Sequence, residues 1–133
     1  MARLLLPAII VLALLDGLIH LGLDLFIMPN LRNSLAILFL LSFLGYLVLV
    51  GAFLYTQRAS LTQRRWVDGA LIVYALILLG AWLSRGGPNP RGFGFVPLGY
   101  LSKAIEVLLI LALIVHAATL GQESQPRAMA TQE

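Results

Sequence analysis

The chain has 133 residues, enough for one domain, of which 60% are hydrophobic and only 11% charged, where a soluble domain carries roughly 25% charged residues. So few charges cannot coat a water-facing surface, which excludes an ordinary soluble fold and makes membrane lipids the first expected partner. The net charge of +3 comes from nine basic residues placed mostly at segment ends and in loops, without interleaved exposed aromatics, so no nucleic acid partner is expected; the absence of cysteine excludes disulfides, thiolate metal sites and cysteine redox chemistry.

A hydrocarbon core of about 30 Å takes roughly 20 apolar residues of helix. Four segments answer to that length: Leu4–Ile27, Ser34–Tyr55, Val67–Ser84 and Pro97–Leu120. Unpaired backbone groups in lipid are too costly for any spanning segment but a helix or a closed barrel. The expected fold is therefore all-α, an integral membrane bundle of four transmembrane helices over residues 1–120, followed by a disordered polar tail, 121–133.

The first segment opens with Arg3 and an apolar run, as a signal peptide does. The run continues past Asp16 to Ile27 with no small-x-small cleavage site, and it reads as a retained span. The connections are short. Met28–Asn33 holds Pro29, Asn30 and Asn33 and reads as a tight turn. Thr56–Trp66, TQRASLTQRRW, is polar and basic, and Arg85–Val96, RGGPNPRGFGFV, is rich in glycine and proline.

Basic residues set orientation. Arg3, Arg58, Arg64, Arg65 and Arg127 lie on one side, and Arg32, Arg85, Arg91 and Lys103 on the other. The concentration of three arginines in one short loop places both termini in the cytoplasm, with a bacterial-type inner or plasma membrane as the expected location. Arg58, Arg64 and Arg65 are expected to fix topology or to meet lipid headgroups. Tyr55 and Trp66 at one interface, and Trp82, Phe93, Phe95 and Tyr100 near the other, fit an aromatic belt.

Asp16, His20 and Asp24 recur every four residues in the first span and fall within about 80° of its circumference. An aspartate at a bilayer centre costs roughly 2.5–3.5 kcal/mol on insertion scales, so this stripe should face the bundle interior. The fourth span carries a matching stripe of Ser102, Glu106, Leu109, Leu113 and His116. At about 1.5 Å rise per residue, His20 and Glu106 lie at similar depths, as do Asp24 and Lys103. The expected contacts are His20 with Glu106, and an Asp24–Lys103 ion pair. Tyr46 and Tyr74 sit near the middles of their spans and complete an expected intramembrane cluster of Asp16, His20, Tyr46, Tyr74 and Glu106. Small residues suggest packing faces at Ser42, Gly45, Leu49 and Ala52 in the second span, and at Ala70, Tyr74, Ile77, Ala81 and Ser84 in the third.

Two readings of the cluster stand side by side. One is chemistry, since a carboxylate beside a histidine can exchange protons near neutral pH; the other is glue between helices. The two histidines lie at different depths, so one haem cannot join them in a monomer, and no cofactor is expected. Two carboxylates and one histidine lack a fourth ligand, so no metal is assigned to Asp16, His20 and Glu106. No nucleophile elbow, phosphate loop or zinc-protease motif is present, and the chain does not read as an enzyme.

In size, in its four spans and in the acidic residue of its first span, the chain resembles the small multidrug resistance transporters in architecture. That family has a glutamate in its first helix where this chain has Asp16, and its glycine-rich third-helix pattern is not found in DGALIVYALILLGAW. The activity is therefore not carried over. The expected function is an accessory or structural component of a membrane complex, with a proton-coupled small-solute transporter as the alternative. Either works as a homo-oligomer or with other membrane subunits, because one small bundle encloses little volume.

Overall fold

A computed structural model describes residues 2–27, 34–85, 87 and 97–123. It is all-helical, in the order α1 (Ala2–Ile27), α2 (Ser34–Thr56), α3 (Leu61–Ser84) and α4 (Pro97–Glu123). All four are long and apolar enough to cross a membrane, over Leu4–Leu23, Ala36–Thr56, Leu61–Ser84 and Pro97–Leu120, and the arrangement is compatible with a membrane helix bundle. Leu4, Val48, Val73, Ile77 and Leu108, among many others, leave more than half of their surface uncovered. In water such a surface would aggregate; in lipid it costs nothing.

The helices form a closed ring. Each packs on two neighbours, α1 on α2 and α4, and α3 on α2 and α4, while across the diagonal the backbones stay apart and side chains such as Phe53 of α2 and His116 of α4 meet in the middle. Ile9, Ala13, Tyr46, Val50, Phe53, Leu71, Leu109 and Leu113 make the core, with side chains from every helix.

α3 starts at Leu61, ahead of the Val67 expected from hydropathy, because Ser60 caps it. The Ser60 hydroxyl accepts from the Gln63 amide at 3.4 Å, and the Gln63 side chain accepts from the Ser60 amide at 3.3 Å. This reciprocal box satisfies two donors that a helix start otherwise leaves bare. Gln57–Ser60 is all that separates α2 from α3, and residues 61–66 of the expected loop are helical.

The inward face of α3 is also not the expected one. Asp68, Leu71 and Ala75 are buried, whereas Ala70, Ile77, Ala81 and Ser84 are exposed. Small side chains can face lipid as readily as a neighbouring helix; a buried aspartate cannot, and Asp68 sets the rotation. On α2, Ser42 is buried as expected, and its hydroxyl donates to the Leu38 carbonyl at 2.8 Å.

Candidate functional site

The ring of helices brings Asp16 and His20 of α1 against Ser102, Lys103 and Glu106 of α4. All five are buried, with Asp16 and Glu106 at 0% exposure. The i, i+4 spacing of Asp16 and His20 stacks them on one face of α1. The i, i+4 spacing of Ser102 and Glu106 does the same on α4, and antiparallel packing opposes the two faces.

Each acid has one oxygen engaged. The Ser102 hydroxyl donates to Asp16 Oδ1 at 2.6 Å, an interhelical bond between α1 and α4. Lys103 Nζ donates to Glu106 Oε1 within α4. The second oxygens, Asp16 Oδ2 and Glu106 Oε2, have no hydrogen-bond partner among the described residues. His20 Nδ1 lies 2.9 Å from the Asp16 carbonyl oxygen and 3.6 Å from Asp16 Oδ2. A carbonyl only accepts, so Nδ1 carries the hydrogen. Ligand atoms of Asp16, His20 and Glu106 all lie within 4.8 Å of one another. With two carboxylates facing one ammonium, the ionised cluster with neutral His20 has an excess of negative charge in a region of low dielectric.

Tyr46 is fully buried beside the cluster, its ring centroid 6.4 Å from that of His20, with Asp16 the polar neighbour of its hydroxyl. Tyr74 meets Tyr46 edge to face at 5.1 Å. Its hydroxyl donates to the Ser42 carbonyl at 3.0 Å, against Gly45, where any β-carbon would collide with it. Tyr74 thus ties α2 to α3 at the edge of the acid cluster, near enough for Asp16 and Glu106 to act on it.

The expected Asp24–Lys103 pair cannot be placed, because the Asp24 side chain lies outside the described residues. Lys103 is engaged by Glu106, one helical turn along its own helix. Ser102, read from the sequence only as part of the α4 stripe, is the direct contact of Asp16. Its spacing from Glu106 was the available signal.

A second buried pair escaped the sequence reading. Asp68 Oδ2 of α3 lies 2.9 Å from His116 Nδ1 of α4, at 1% exposure for both residues, and Phe53 of α2 packs on the His116 ring at 5.5 Å. This pair occupies the half of the bundle nearer the α2–α3 turn, and Leu71, Leu109 and Leu113, all fully buried, belong to the core that extends towards the first cluster. The two histidines thus serve different carboxylates.

Of the three loop arginines, Arg64 has an internal task. Its Nε donates to the Thr56 carbonyl at 3.2 Å and its Nη2 to the Gln57 carbonyl, closing the C-terminal end of α2. Arg58 and Arg65 are exposed.

No protein-family model, curated protein or solved structure matches this chain, and the chemistry of the site is the guide to what it does.

Proposed function

We propose that the protein is a multi-pass membrane protein that binds a small cation in its interior and carries it across the bilayer, working as an oligomer. The observation that carries this reading is the pair of unpartnered oxygens, Asp16 Oδ2 and Glu106 Oε2, in a buried cluster that holds two carboxylates and one ammonium. A polar network that only ties helices together gains most when every member is satisfied. Here Ser102 and Lys103 satisfy half of the acid oxygens and the remainder face each other's neighbourhood, a ready place for positive charge. Burial also argues against Asp16 and Glu106 as docking groups, since a partner helix cannot reach side chains enclosed by their own bundle.

In this reading both termini and the α2–α3 turn lie in the cytoplasm of a bacterial-type inner membrane, with the exposed Arg58 and Arg65 on the positive side. Tyr55 and Trp66, 83% and 76% exposed beside that turn, sit at headgroup level.

One observation favours a second reading, an accessory component of a membrane complex. The apolar core that includes Leu71, Leu109 and Leu113 lies between the Asp16–Glu106 cluster and the Asp68–His116 pair. The decisive test is flux in proteoliposomes. The parent chain should move small cations, and Asp16→Asn and Glu106→Gln should abolish the flux while keeping the helical content. A parent chain that moves none, and that comes out of its native membrane with stoichiometric partner subunits, would establish the accessory reading instead.

A further inference from the structure

We infer that the cluster of Asp16, His20 and Glu106 is a binding site for a divalent first-row transition metal, which deepens and rests on the reading of an interior cation site. The geometry is the first argument. One carboxylate oxygen from each acid and a ring nitrogen of His20 fall within 4.8 Å of one another, in a fully buried setting. Donors about 2.0–2.2 Å from one ion in a tetrahedral arrangement are about 3.3–3.6 Å apart, so closing the three on a metal takes side-chain rotations that draw them about 1 Å closer.

The second argument is which atoms are already engaged. On each acid one oxygen is held by an outer partner, Asp16 Oδ1 by the Ser102 hydroxyl and Glu106 Oε1 by Lys103, and the other is left bare among the described residues. That is the division of labour around a bound metal, where outer hydrogen bonds orient a ligand and its free lone pair takes the ion. The two acids lie within hydrogen-bonding reach of each other when one is protonated, and a metal ion would take the place of that shared proton.

The donor set selects the ion. An imidazole with two carboxylates, and no thiolate in the whole chain, suits Mn2+, Fe2+, Co2+ or Zn2+ better than copper(I), and the nitrogen discriminates against Mg2+ and Ca2+. Three protein donors leave at least one position open, as in sites that exchange their occupant or engage a further ligand rather than sites that only brace a fold. The Tyr46 hydroxyl, buried beside Asp16 and His20, is a candidate to face that position. Lys103 opposes binding by its charge while orienting Glu106, which keeps the affinity moderate.

The experiment is a titration of the full chain in nanodiscs with Co2+, followed by visible absorption and by displacement with Zn2+. One equivalent of Co2+ per chain should give saturable ligand-field bands that Zn2+ abolishes and a large excess of Mg2+ does not. Asp16→Asn and Glu106→Gln, both nearly isosteric, should weaken binding by about 100-fold or more, and Ser102→Ala by about tenfold. Asp68→Asn, in the other half of the bundle, should bind as the parent does. A folded parent chain that gives no Co2+ bands, bands that survive both acid substitutions, or equal competition from Mg2+ would each overturn the assignment. Flux of alkali-metal ions without Co2+ binding would remove the metal and leave the cation-carrier reading standing. Co2+ binding without flux of any cation would do the reverse.

Discussion

A carboxylate buried inside an apolar helix bundle has to be answered by a neighbour, and for Asp68 the answer is His116. Removing one member of a buried pair leaves the other without compensation, which typically costs about 3–5 kcal/mol, whereas replacing both by apolar side chains is often close to neutral. His116→Leu should therefore destabilise the bundle by about 3 kcal/mol, and His116→Leu combined with Asp68→Leu should recover most of that loss. A double-mutant cycle on unfolding in detergent micelles measures the coupling; strictly additive effects would mean that the two side chains do not depend on each other. Asp68 was not legible as a buried residue because hydropathy places the edge of the third span at Val67, where an acid belongs to the interface. The Ser60–Gln63 capping box moves the helix start back to Leu61 and puts Asp68 about two turns inside. That signal was present in the sequence as S-L-T-Q, in a stretch whose polarity reads as loop. Asp16, His20 and Glu106 were legible because their helices are otherwise so apolar that a polar stripe at helical spacing has only the interior to face.

At the scale of elements, α3 is held to α2 by two features at different heights. Near the turn, Ser60 starts α3 while Arg64 reaches back to the carbonyls that end α2. Ser60→Ala should cost about 1 kcal/mol through loss of the cap. Its effect should appear as faster amide exchange confined to the first turn of α3, and protection unchanged there would dismiss the cap as a stabilising element. Deeper in, the Tyr74 hydroxyl donates to the Ser42 carbonyl across the gap left by Gly45. Gly45→Ala drives a methyl group into that phenol, and overpacking of this kind typically costs 1–3 kcal/mol, or about that amount here. The same substitution at Gly51 of α2 meets nothing within 4 Å and should leave the unfolding midpoint unchanged or slightly raised. The rotation of α3 was beyond the sequence for a related reason. A helix apolar all round offers no strong periodicity, and Ala70, Ala81 and Ser84 look alike whether they face lipid or a neighbour.

For the whole molecule, the number of helices long and apolar enough to cross a membrane followed from composition and run length. Which helices touch did not follow. That α1 lies between α2 and α4, and so opposes Asp16 to Ser102, depends on the closure of the ring, and short connections alone allow more than one order. The absence of cysteine makes the proposed orientation directly testable, because any introduced thiol is the only one in the chain. Thr62 and Ser84 lie at opposite ends of α3, and both are exposed. Neither carries a charge, so replacing them leaves the arginines that orient the chain in place. With the α2–α3 turn in the cytoplasm, Ser84→Cys should react with a membrane-impermeant maleimide on intact cells, and Thr62→Cys only after permeabilisation. The opposite pattern would invert the topology and put Arg58 and Arg65 outside. Reaction of both thiols on intact cells would mean that α3 does not cross the membrane at all, which would open the ring and leave Asp68 and His116 without the apolar surroundings that hold them together.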